Sequence, residues 1–150
     1  MKKNPKNFNI ILVDDDLEDC MYFEEALRDI NSAHIFQSFQ SSEAVLSHLS
    51  LLDNSIPDIL FLDLNMQGAN GKDCLKDIRA IEKCFNLPIA IYSTSNRDQD
   101  KHDTLASGAN IYITKPIDYG TLKNTIQKVL HINWQFHYLN LSISTFVVSV

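Results

Sequence analysis

Four short stretches of the chain are apolar almost throughout: Asn9–Val13, Asp58–Leu62, Pro88–Tyr92 and Asn110–Thr114. None is long enough for a helix, and continuous rather than alternating apolarity marks strands buried on both faces of a parallel sheet. A fifth stretch, His34–Phe39, alternates and predicts an edge strand. Helical spacing fills the intervals. Tyr22, Phe23, Ala26, Leu27 and Ile30 line one face of a helix over Leu17–Ile30. Ser42 is placed to cap a short helix carrying Val45, Leu46 and Leu49. Cys74, Leu75, Ile78 and Ile81 mark another after Gly71, and Leu122, Ile126, Val129 and Leu130 mark the last, over Thr121–His131. Asp98–Ser107 is polar and weakly periodic, with Gly108 as its stop. Strand followed by helix, five times over, predicts an α/β fold: a doubly wound five-stranded parallel sheet with right-handed crossovers and helices on both faces.

Composition narrows the function. With 150 residues and 45% hydrophobic content the chain reads as one soluble domain able to bury a core without staples. Nineteen acidic against 13 basic residues leave a net charge of -6, which argues against nucleic acid and against anionic membrane surfaces. Cys20, Cys74 and Cys84 are odd in number and form no C-x-x-C pair, so buried thiols in a reducing compartment are expected. The apolar run Phe8–Val13 is too short for a signal peptide, and no stretch is long enough to span a bilayer; a cytoplasmic protein is expected. None of the five histidines shows metal-ligand spacing.

The chemistry gathers at the strand ends. The first run leads into Asp14, Asp15 and Asp16, the next into Asp63, the third into Ser93 and Thr94, the last into Lys115 and Pro116. In an open parallel sheet these carboxyl edges lie side by side, and ligands bind there. Two carboxylates about 4 Å apart repel by roughly 4 kcal/mol at an effective dielectric of about 20. Asp14, Asp15 and Asp63 therefore call for a counter-charge: Lys115 in part, and a divalent ion for the rest. All-oxygen ligands without His or Cys favour Mg²⁺. A carboxylate beside Mg²⁺, an ammonium and a hydroxyl is equipped to accept a phosphoryl group. No glycine-rich phosphate loop is present to bind a nucleotide donor.

The acidic pair, Asp-Leu-Asn-Met from Asp63, Ser-Thr-Ser from Ser93 and Lys115-Pro116 together resemble a response-regulator receiver domain over about residues 8–134. A narrower resemblance, carried by Ser-Thr-Ser, the stretch Gly108–Asp118 and Trp134, is to the stand-alone regulators associated with bacterial phytochrome kinases. The resemblance implies a flavodoxin-like strand order 2-1-3-4-5 and a single-domain regulator phosphorylated on Asp63 by a histidine kinase or phosphotransfer protein. It makes Asp14, Asp15, Asp63 and the backbone carbonyl of Asn65 the Mg²⁺ ligands, Ser93 the switch hydroxyl, Lys115 the phosphoryl contact and Tyr112 the rotating aromatic, with a cis Lys115–Pro116 bond. Self-phosphorylation and self-dephosphorylation are then the only reactions expected. Gln67 stands where receivers often carry proline, and Thr94 is bulkier than the residue often found beside the switch hydroxyl.

Two other readings compete: a degenerate receiver acting as a constitutive scaffold, and an aspartyl-phosphate phosphatase. The intact charged set opposes the first; the second lacks an acid, since Asn65 stands where one would be needed. Residues 135–150 are too few for another domain. Leu139, Leu141 and Ile143 alternate with polar residues before Phe146, Val147 and Val148, which predicts a strand-like tail. That tail is expected to join the face formed by the fourth helix, fifth strand and fifth helix in pairing with a second copy or with the kinase.

Overall fold

The computed structural model describes residues 7–51, 53–132, 134 and 142–148. Five parallel strands, β1 (Asn9–Val13), β2 (Ile35–Phe39), β3 (Ile59–Leu62), β6 (Ile89–Ser93) and β7 (Ile111–Thr114), form one sheet in the order β2-β1-β3-β6-β7. This is the expected strand order, and the expected runs supply all five strands. Between β3 and β6 sits an unforeseen two-residue hairpin, β4 (Asn65–Met66) with β5 (Ala69–Asn70), turning through Gly68 at φ 70°.

The helices are α1 (Leu17–Ile30), α2 (Ser42–Ser50), α3 (Gly71–Ala80), α4 (Asp98–Ala106) and α5 (Tyr119–Leu130). Ser41 rather than Ser42 caps α2, and Ile81 lies beyond α3 at the start of a 3₁₀ turn, Glu82–Cys84. Asp118 caps α5 by accepting from the Thr121 amide, so this helix begins two residues before Thr121.

Alternation along each central strand splits the core in two. Ile11, Val13, Leu60, Leu62, Ile89 and Ile91 face α2 and α3, meeting Val45, Leu49, Cys74, Leu75 and Ile78. Ile10, Leu12, Ile59, Phe61, Ala90 and Ile113 face the other way, onto Phe23, Leu27, Leu122 and Ile126 of α1 and α5. Trp134 is half-buried against this second core. The three cysteines are free and buried.

Two expectations fail. No cis peptide occurs among the described residues, so Lys115–Pro116 is trans, the isomer intrinsically preferred even before proline. The tail is not a simple strand either. Ser142 opens a capping box with Thr145, Ile143–Phe146 makes one helical turn, and only Val147 pairs, in parallel, with Tyr112 on the outer edge of β7. Local side-chain–backbone bonds outweigh the alternation there. Leu139 and Leu141 lie outside the described residues.

Candidate functional site

The sheet register aligns the ends of four strands. Asp63 donates its amide to the Val13 carbonyl at 2.9 Å, placing it beside Asp14. Lys115 donates its amide to the Ser93 carbonyl at 2.7 Å, placing it beside β6. Asp14, Asp63 and Ser93 are buried, and Asp15 is half-buried. Each of the three carboxylates offers an oxygen within 4.8 Å of the others.

Lys115 crosses to this cluster. Its Nζ lies 2.8 Å from Asp14 Oδ2, 2.8 Å from Asp19 Oδ2 and 3.4 Å from Asp63 Oδ2, and 5.4 Å from the centre of the Tyr92 ring. Burial alone would lower the ammonium pKa; the hydrogen bonds to Asp14 and Asp19 and the charge of Asp63 outweigh it and raise the pKa. Asp14 goes the other way from an ordinary carboxyl. Burial lifts it from 3.8 to about 6, against the opposing hydrogen bonds from Lys115 and the Asp16 amide.

Asp16 takes the structural part, capping α1 through the Glu18 and Asp19 amides at 3.0 and 3.3 Å. Asp19, which the sequence pattern does not single out for the site, holds Lys115. Its place in the first turn of α1, directly after the acidic end of β1, is the signal that could have found it. Gln67 has a use too: its amide donates to Asp15 Oδ2 at 2.7 Å, a bond proline could not make.

Ser93 Oγ accepts from Asn65 Nδ2 at 3.1 Å and from the Ser95 amide at 3.2 Å. The Asn65 amide also donates to Asp63 Oδ1 at 3.1 Å, so one residue links acceptor and hydroxyl. Thr94 is exposed beside this pair and Pro116 is half-buried. Tyr112 is wholly buried, with its hydroxyl donating to the Ser95 carbonyl at 2.8 Å. The ring expected to rotate inward is therefore already inside.

An open groove of about 940 Å³ between α1 and β2 has none of these residues in its lining. The chemistry belongs instead to the acidic cluster. Three hard oxygen donors, two of them on buried residues and, among the described residues, grouped with no sulfur or imidazole donor, fit a divalent cation.

Residues 10–127 match the family described as the response regulator receiver domain. The chain belongs to that family. Among curated relatives, the receiver is 32% identical over 124 residues to chemotaxis protein CheY-3 of Vibrio cholerae serotype O1, covering 83% of this chain and 92% of that one. Protein PilH of Pseudomonas aeruginosa is 28% identical over 120 residues, covering 80% and 96%. The phosphorylated cyanobacterial phytochrome response regulator RcpA superposes with a TM-score of 0.76 at 23% identity, covering 91% of this chain and 98% of that one. The Mn²⁺-bound response regulator Rcp1 gives 0.71 at 22%, covering 81% and 91%. These two likenesses establish the fold.

The receiver's acidic cluster carries a pH signature. Because the folded pKa of Asp14 is raised, its ionisation withdraws stability from the cation-free protein as pH climbs from about 4 to about 6. Asp14→Asn removes that loss. In EDTA, the stability of the variant relative to the native protein should be greater at pH 7.5 than at pH 5, as read by urea denaturation. Parallel curves at the two pH values would refute the assignment.

Proposed function

We propose that residues 8–134 form a phosphoacceptor unit in which Asp63 takes a phosphoryl group from a histidine kinase or phosphotransfer protein, with Mg²⁺ as the cation. The observation that carries this reading is the ammonium of Lys115 shared among Asp14, Asp19 and Asp63 at the aligned strand ends. It keeps the Asp63 oxygens accessible to an electrophile while offsetting the charge around them. That RcpA was solved phosphorylated and Rcp1 with Mn²⁺ supports the same reading.

Asp14, Asp15, Asp63 and the Asn65 carbonyl would hold Mg²⁺, which when bound neutralises charge on the transferred phosphoryl oxygens. An Asp63 carboxylate oxygen attacks phosphorus, the bond from phosphorus to the donor breaks, and the donor leaves with that electron pair. Lys115 Nζ is placed to pair with a phosphoryl oxygen. Ser93 Oγ, linked to Asp63 through Asn65, is placed to turn and donate to another. Thr94 borders the approach. The apolar side chains of Leu17, Met21 and Ile117, exposed on the two segments that Lys115 and Asp19 join, form the surface on which the donor docks. The face of α4, β7 and α5, with the docked tail on its β7 edge, is the one presented to a second copy or a downstream partner. Among the described residues no helix is long and apolar enough to cross a membrane, consistent with a cytoplasmic signalling protein.

The test is intact mass after incubation with acetyl phosphate and Mg²⁺. One phosphoryl adduct is expected, absent from Asp63→Asn and absent when EDTA is present. An adduct that survives in Asp63→Asn would remove Asp63 from the role.

A further inference from the structure

The C-terminal segment makes three contacts with one residue. The Phe146 side chain is wholly buried, its ring centre 6.1 Å from that of Tyr112 at an interplanar angle of 58°. Val147 pairs in parallel with Tyr112, and the Val148 amide donates to the Tyr112 carbonyl at 3.0 Å. Ring and backbone of Tyr112 are thus both held from the outer edge of the sheet.

From Tyr112 the contacts run inward. Its hydroxyl fixes the Ser95 carbonyl, and the Ser95 amide in turn bonds Ser93 Oγ. Ser95 Oγ donates to Asp100 on α4, which Lys72 of α3 holds at 2.7 Å. At the Ser93 end the loop is held by Asn65 and the Lys115 amide, and at the Ser95 end its hydroxyl is held by α4 and its carbonyl by Tyr112.

We propose that the segment Ser142–Val148 is an intramolecular regulator that, by clamping Tyr112, preorganises the Ser93–Ser95 loop for an anion on Asp63. The proposal rests on the reading of Asp63 as phosphoacceptor. A docked tail removes motion that the loop would otherwise lose on binding, so docking and anion binding favour each other. Linkage then requires the effect to run both ways by the same factor.

The probe is beryllofluoride with Mg²⁺, titrated calorimetrically against the full chain. Phe146→Ala should weaken binding about fivefold, the low end of common coupling strengths. Val148→Pro, which deletes the amide donated to Tyr112 and leaves the ring contact, should shift it the same way. Tyr112→Phe, which keeps the ring and removes the hydroxyl, should also weaken binding, and its combination with Phe146→Ala should fall short of the product of the two effects. In the native chain, beryllofluoride should slow hydrogen exchange at the Val148 amide. Affinity unchanged or tighter in Phe146→Ala, or effects of Phe146→Ala and Tyr112→Phe that multiply independently, would overturn the regulator while leaving Asp63 its role. Native protein that binds no more beryllofluoride than Asp63→Asn would overturn both.

Discussion

Lys115→Met should lose about 3–5 kcal/mol of stability in cation-free buffer at pH 7.5, the range seen when one partner of a buried ion set is removed. The side chain is only 10% exposed, and it faces Asp14 at 0% and Asp63 at 5%. No other cation contacts these two carboxylates in the structure's described residues. The sign of the pH dependence is fixed by the two groups. The Lys115 pKa is raised, so its stabilising contribution persists across neutral pH and is lost only in strong alkali. Asp14 takes up a proton near pH 6, so the deficit of the variant should narrow between pH 7.5 and 5. Added Mg²⁺ should narrow it too, by supplying charge where the ammonium was. Urea denaturation at both pH values, with EDTA or Mg²⁺, measures all three effects. A deficit that ignores both pH and Mg²⁺ would mean that Lys115 matters through packing of its stem rather than its charge.

Gly71→Ala should damage the fold and the site together. A Cβ at Gly71 would stand 2.5 Å from Leu64 Cα, 2.6 Å from the Asp63 carbonyl oxygen and 3.0 Å from that of Leu64. All three are backbone atoms, so the strand exit that carries Asp63 has to move. Overpacking of this kind typically costs about 1–3 kcal/mol. Displacement of a reacting group by about 1 Å is enough to slow a reaction on the order of a hundredfold. The expected result is a lower melting temperature and phosphorylation by acetyl phosphate slowed at least tenfold in the fraction that remains folded. Gly120→Ala is the control, because its Cβ meets only a side-chain oxygen, of Asp118, at 3.5 Å. A Gly71→Ala protein as stable and as reactive as Gly120→Ala would disprove the close approach.

What the chain makes legible is local. The strands announce themselves because Ile10–Val13, Ile59–Leu62 and Ile89–Ile91 are buried on both sides and so carry no polar alternation. The site follows, because parallel pairing in register converts strand ends far apart in sequence into neighbours. The misses depend on partners that pattern alone does not name. Asp19 looks like one more acidic residue at a helix start until Lys115 is seen to arrive from 96 residues away. Asn65 reads as a backbone ligand, yet its side chain also ties Ser93 in place. Gly71 shows no positive φ, and only the approach of the Asp63–Leu64 backbone explains it. The tail misleads because the alternation of Ile143 with its polar neighbours is compatible with one helical turn once Ser142 and Thr145 cap each other.

The route by which Lys115 reaches the carboxylates bears on how the chain becomes folded at all. A chain in which β1 has paired with β3 already holds Asp14, Asp15 and Asp63 together, 52 residues short of the ammonium that balances Asp63. Until β7 lies beside β6, that half-built sheet carries concentrated negative charge with no opposite within reach. Partial structures are thereby penalised relative to the complete one, and the charges gathered at the strand ends make assembly of the sheet cooperative.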